Sequence, residues 1–427
     1  MEDNQNRKKL LIISSDGNDL PLVEAGRSLG AYIICCDRYS DYSVSPAKAV
    51  ADEAWDIDYS DTDTVVKKCR DAGVDGLIAG YGEDRVLAAS KISQAICRPF
   101  YATPEQINLT RNKVLFKQLC RQYGIPTPND YNITFPVIDD QLYSINFPVI
   151  VKPADNGGRK GISVCYNKQE LVNAVSLALE QSIYKTIVVE DFYTGVEMSA
   201  IYTIVDGVVS LSCLNDKYTS EDSECEGILC SFVCTPSRFL EKYFHTLNDK
   251  VIALLKGVGI KNGVANFQMI ESGGEIYIFE MGFRINGNND FTVIEKEHGL
   301  NYCKMLINYS LTGSMGQTLE NDNPYFSKYY GTFIVLLRSG KIAKIDYSEL
   351  IGKEGIDNIL FLKSVGDIVL DIGTNVHKSG LIKFSTNTLD ELKEMVHFIQ
   401  THLHIEDENG NDMLFEEFDT DRLGCGT

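Results

Sequence analysis

Residues 148–163 read P-V-I-V-K-P-A-D-N-G-G-R-K-G-I-S, and few folds accommodate that order. Val149, Ile150 and Val151 have the branching and length of a buried strand. Lys152 stands where the strand ends, and Pro153 stops it. Gly157, Gly158 and Gly161 follow, with Arg159 and Lys160 among them. Glycine admits positive φ and lets backbone N–H groups approach an anion. Ile162 to Tyr166 alternates like a returning strand. The predicted unit is a strand, a cationic glycine loop and a strand, with a lysine at its mouth. It suits a lid over nucleotide phosphates. A plain hairpin with a basic turn is the blander reading of the same residues.

At 427 residues the chain is too long for one ordinary core and predicts several domains. Its net charge of −20 disfavours a nucleic-acid partner, whose phosphates would be repelled. There is no run of about 18 apolar residues, and Met1 to Lys9 is polar. Neither a membrane partner nor a secretory leader is expected, which makes the expected location cytoplasmic. The twelve cysteines are then expected to be reduced thiols. Cys225, Cys230 and Cys234 lack C-x-x-C spacing, and the six histidines are scattered, so no zinc site is predicted.

Leu10 to Ser14 is an apolar strand, Leu20 to Leu29 reads as a helix, and Ala31 to Cys36 is a second strand. This β-α-β order predicts a doubly wound α/β domain over the first hundred or so residues. The G-x-G-x-x-G fingerprint is missing, which disfavours a nicotinamide cofactor. Gly80 to Asp84 follows a further buried strand, at the end where open α/β sheets bind ligands. Thr110 to Tyr123 predicts one amphipathic helix, capped by Thr110, with Lys113 in its first turn. A cation there opposes the helix dipole, and an anion nearby would compensate. Thr186 to Val189 is a strand that runs into E-D-F-Y-T-G-V-E. Asp206-Gly207 turns a hairpin between Met198–Val205 and Val208–Leu214.

Gly263 to Asp290 reads as two strands flanking Gly273-Gly274. A three-residue loop, Gly273 to Glu275, would set Gln268 opposite Glu280, and a two-residue turn would put them on opposite faces. The three-residue loop is the expectation. Tyr330–Leu337 and Lys341–Ile345 are expected to pair around Ser339-Gly340 in a β-rich end, closed by a helix over Leu389–His402.

Together these stretches resemble the ATP-grasp superfamily, in particular its carboxylate–amine ligases, such as L-amino acid ligases, and the synthetase domains of carbamoyl phosphate synthase. V-K-P-A-D-N-G-G-R-K-G-I-S is similar to the superfamily's lid loop. E-D-F-Y-T-G-V-E resembles its adenine and ribose segment. N-F-Q followed by F-E-M-G-F-R resembles its metal hairpin. The resemblance covers most of the chain and implies an α/β fold, α+β overall. It would have an N-terminal doubly wound parallel sheet, a central ATP-grasp with a glycine-loop lid and a β-rich C-terminal piece. The expected division is 1–105 for the first domain, 106–315 for the ATP-grasp domain with its lid at about 127–192, and 316–427 for the part that completes the core.

The resemblance also implies roles. Lys113, Lys152, Gly157, Gly158, Lys160 and Gly161 would hold the phosphates of ATP. The backbone of Glu190, Asp191 and Phe192 would hold adenine, and Glu197 the ribose. Gln268 and Glu280 would face Mg²⁺ or Mn²⁺. Arg284 would be the catalytic cation on the substrate carboxylate and acyl phosphate, with Asn286 beside the substrate. Gly282 departs from the pattern, standing where the superfamily usually has an asparagine ligand. Either one ion binds weakly there, with substrate phosphates supplying most of its shell, or Asn286, Asn288 or Asp290 substitutes.

The implied activity is an ADP-forming ligase that joins a small carboxylate to an amine through an acyl phosphate. A homodimer is compatible with it. The alternative is an ATP-binding homologue without turnover. A protein-kinase-like reading fails because H-R-D and D-F-G are absent.

Overall fold

The computed structural model describes residues 7–137, 139–154, 161–183, 185–220, 229–288, 290–370 and 377–424. Apolar runs near the N-terminus form a parallel sheet in the order Glu53–Asp56, Tyr32–Asp37, Lys9–Ile13, Gly76–Ile78. Leu10 to Ile13 are fully buried, as a central parallel strand covered on both faces requires. Helices Leu20–Ser28, Thr62–Ala72 and Glu83–Ala95 accompany it.

At the carboxyl end of that sheet Asp19 is completely buried. Burial, with Asp16 beside it, lifts its carboxyl from the usual 3.8 to about 7, against the pull of Arg85. A folded value above the unfolded one favours the protonated native state. The stabilisation is therefore complete below about pH 4 and is lost as pH rises through about 7. Asp19→Asn is expected to remove this slope, measured by thermal unfolding at about pH 5 and pH 8. A variant that loses as much stability as wild type between those values would refute the assignment.

The expected single helix from Thr110 is two. Helix Pro104–Arg111 begins at a Thr103 capping box, and Asn112 restarts the chain as helix Lys113–Gln122. Thr110 caps nothing; its hydroxyl donates back to the carbonyls of Gln106 and Ile107. The Asn112 carboxamide accepts from Val114 N and Leu115 N, both at 3.1 Å, which makes Lys113 the first helical residue.

Residues 130–191 build a small antiparallel sheet in the order Asp130–Tyr131, Ile187–Asp191, Val149–Pro153, Ser163–Cys165. Helix Lys168–Gln181 contributes Leu171, Ala174, Val175 and Ala178 to its core. Pro153 ends the lysine strand as its last member.

The large sheet has eight antiparallel strands. Their order is Glu275–Gly282, Gly263–Ser272, Val196–Val205, Val208–Thr219, Cys230–Thr235, Tyr329–Leu336, Lys378–Thr386, Ile356–Phe361. The Asp206-Gly207 turn closes its hairpin as expected, Val205 pairing with Val208. The expected hairpin around Ser339-Gly340 does not form. Strand Tyr329–Leu336 is paired on both sides, with Cys230–Thr235 and Lys378–Thr386. Gly340–Asp346 therefore joins a separate sheet with Ile368–Val369 and His404–Asp407. The terminal helix Leu389–His402 buries Leu392, Val396 and Ile399.

Candidate active site

Gln268 does lie opposite Glu280, but the route differs from the expected one. The hairpin turns through two residues, Gly273 (φ 59°) and Gly274 (φ 86°), so Ser272 pairs with Glu275. That register alone would set Gln268 against Phe279. A β-bulge inserts Phe279 as an extra residue, and pairing resumes with Gln268–Glu280 and Asn266–Gly282. The bulge also changes which residues are buried. Ile276 and Ile278 enter the core before it and Met281 after it, so Glu280 is left on the polar face with Gln268.

Three segments approach the hairpin and the residues that follow it. From helix Lys113–Gln122, Lys113 Nζ comes 3.9 Å from Glu280 Oε1, the compensating anion its position calls for. From the small sheet, Lys152 Nζ lies 5.7 Å from the Phe279 ring centre. From the first domain, Glu83 Oε1 lies 3.6 Å from Arg284 Nη2. Burial raises the Glu83 carboxyl above its usual range. Arg284 pulls it back, and Glu280 pushes it further up.

Behind Lys152 the sequence reading missed a charge cluster. Glu190, 2% exposed, accepts from Lys152 on one oxygen and from Lys117 on the other. Lys117, fully buried, also donates to Asp130, which in turn holds Arg121. Three cations and two carboxylates leave one positive charge in excess, with Lys152 the member beside Phe279. This arrangement favours an anion in front of Lys152. Lys117 follows Lys113 by one helical turn, a spacing that was visible in the sequence.

The other expected residues fall as follows. Gly157, Gly158 and Lys160 lie outside the described residues. Gly161, at φ 72°, packs against Gln181 and Pro153. The N–H groups of Asp191 and Phe192 donate to Asn129 O and Pro148 O, so they are committed within the small sheet. The Asp191 carboxylate accepts from Asn129 and Tyr131. Glu197 is 3.7 Å from Lys217, and both line a cavity of about 190 Å³ with Tyr218, Arg238 and Arg422. Asn286 donates to Asp290, which also accepts from Asn215 at 2.8 Å, while Asn288 accepts from Lys378. These three loop residues are engaged with one another and with the core.

Does this site fit a cation? Asn266 is two residues before Gln268, hence on the same face, and pairs across the sheet with Gly282. It is 6% exposed, and its Oδ1 is buried with no hydrogen-bond donor among the described residues. An orphaned acceptor costs about 1–3 kcal/mol, and a hydrated cation would satisfy it. Arg284 Nε is likewise buried with no acceptor among the described residues, a donor in want of an anion. Among the described residues no three His, Cys, Asp or Glu side chains gather as a closed cage. That agrees with Mg²⁺, which takes one or two carboxylates and completes its octahedron with phosphate oxygens and water.

The geometry has counterparts among known proteins. The model of the carbamoyl-phosphate synthase L chain, ATP binding domain, matches residues 112–319. The carbamoyl phosphate synthase large chain, N-terminal section, of Aquifex aeolicus is 25% identical over 295 residues, 66% of this chain and 50% of that one. The chain thus spans about half the length of this curated relative. The crystal structure of L-amino acid ligase from Bacillus licheniformis superposes with a TM-score of 0.79 at 19% identity, covering 94% of this chain and 99% of that one. The biotin carboxylase domain of Hydrogenobacter thermophilus 2-oxoglutarate carboxylase, solved with MgADP, ADP and bicarbonate, gives 0.75 at 17% identity, covering 93% and 90%. Among the described residues, no helix is long and apolar enough to cross a membrane. Residues 112–319 thus match the ATP-binding domain of the carbamoyl-phosphate synthase L chain, set between a parallel α/β domain and a β-rich end, and the chain shares the fold of these solved enzymes.

Proposed function

We propose that the chain is an ATP- and Mg²⁺-dependent ligase. It joins the carboxylate of one small molecule to the amine of another and releases ADP and phosphate. The observation that carries this reading is that Lys113 reaches Glu280, which lies opposite Gln268, while Lys152 lies by the neighbouring Phe279 and Arg284 by Glu83, from segments far apart in the chain. A carboxylate resists amines because its carbon is shielded by negative charge and oxide is a poor leaving group. Phosphorylation makes an acyl phosphate, from which phosphate departs when the amine attacks.

The protein's task is to hold two anions together. Lys152, fixed by Glu190, and Lys113 face the phosphates. Arg284, with its unpartnered Nε, steadies the substrate carboxylate and then the acyl phosphate. Glu280 and Gln268 would hold the metal, which when bound offsets phosphate charge and orients the terminal phosphoryl group. The intermediate must be kept from water, which would hydrolyse it. Adenine lies at the Glu190–Phe192 end of its strand, where the N–H groups of Asp191 and Phe192 are committed to Asn129 O and Pro148 O, and Glu197 takes the ribose. Asn286 shapes the substrate side through Asp290. The working division remains 1–105, 106–315 with the lid at 127–192, and 316–427. Mn²⁺ substitutes for Mg²⁺, the location is cytoplasmic, and a homodimer is compatible with this reading.

The test is a screen of ADP release over pairs of amino acids and small carboxylic acids. Turnover that requires both an acid and an amine is expected. Nucleotide binding without ADP formation across a broad panel would favour the homologue without turnover, the reading to which Gly282 points.

A further inference from the structure

Gly282 has no side chain where the resemblance puts a third metal oxygen, yet the space beside it is not bare. Glu83 Oε1 lies 3.5 Å from where a Cβ on Gly282 would stand. An asparagine there would carry its amide oxygen about 2.4 Å from the same Cβ, one C–C and one C=O bond away. A carboxylate oxygen from another domain thus stands within about 1 Å of the shell that amide would sweep. Local structure puts it there. Gly82, at φ 84°, turns the chain sharply out of the Gly76–Ile78 strand, and Glu83 becomes the first residue of helix Glu83–Ala95. Arg284 then holds its carboxylate over the hairpin. The orphaned Asn266 Oδ1, directly across the sheet from Gly282, independently marks a missing ligand on this face. Asn286, Asn288 and Asp290 have their oxygens engaged elsewhere.

We propose that Glu83 supplies the metal oxygen that Gly282 lacks, so that the cation is held across the seam between the N-terminal domain and the hairpin. Glu280 and Gln268 contribute from one side and Glu83 from the other. This rests on the nucleotide–metal reading above. It has a consequence that a ligand on the hairpin alone would not have: loading the metal fastens the first domain to the nucleotide site.

The test is Mn²⁺ binding, followed by electron paramagnetic resonance, to the full chain saturated with a non-hydrolysable ATP analogue. Glu83→Ala is expected to weaken Mn²⁺ by about tenfold or more, while binding of the metal-free analogue holds or improves as a negative charge leaves. Gly282→Asn in the Glu83→Ala background, where the space is vacated, is expected to recover most of the loss. Gly282→Asn alone, crowded by Glu83, should bring no gain. Wild-type Mn²⁺ affinity in Glu83→Ala would overturn the proposal and leave Glu83 as the counter-ion of Arg284. A loss that Gly282→Asn does not recover counts against it as well. If wild type itself binds no Mn²⁺ with the analogue, the nucleotide–metal reading fails and takes this proposal with it.

Discussion

Glu190→Gln is expected to cost the small sheet about 3–5 kcal/mol, because it strips a buried carboxylate from two buried ammonium groups. Lys152 and Lys117 are 6% and 0% exposed, and each meets one oxygen of Glu190. Glutamine keeps the shape and one acceptor oxygen but loses the charge. Lys117 retains Asp130, so the larger effect should fall on Lys152. Hydrogen exchange should quicken in Val149–Pro153 and Ile187–Asp191 and stay unchanged in the N-terminal parallel sheet. Nucleotide affinity should fall in parallel, since Lys152 is no longer aimed at Phe279 and the space before it. Wild-type protection in both strands would show that the cluster does not hold the sheet together.

Glu280→Gln is expected to lower ADP release, with the right acid and amine present, by on the order of a hundredfold or more. The side chain keeps its volume, so the hairpin and its bulge should persist. What disappears is the carboxylate paired across the hairpin with Gln268, and with it a partner of Lys113 at 3.9 Å. Mn²⁺ affinity in the presence of an ATP analogue should fall with turnover, while binding of metal-free analogue should hold or improve as a negative charge leaves the phosphate site. A variant as active as wild type would mean the metal sits elsewhere.

Gln268 and Glu280 mark where reading residues along a chain stops sufficing. Their equal distance from Gly274 was legible, and so was the chemical reason for wanting them together. The device that unites them was not. Gly-Gly favours a two-residue turn through local backbone preference, and the extra Phe279 is absorbed because Met281 must reach the core on one face. Glu190 teaches a related lesson. Its position at the end of a strand was correctly seen, but only the backbone was assigned a role. The partners of its side chain come from a helix and a neighbouring strand that no spacing rule connects to it.

The sequence by itself determined the parallel first domain, the lysine strand, the Asp206-Gly207 hairpin and the terminal helix, because these depend on periodicity, turn chemistry and residue order within short windows. Tertiary structure alone decided that Gly340–Asp346 leaves its neighbour for another sheet and that Glu83 stands beside Gly282. Those outcomes turn on competition among distant partners for one space or one strand edge, and that free-energy difference has no counterpart in any local stretch of chain.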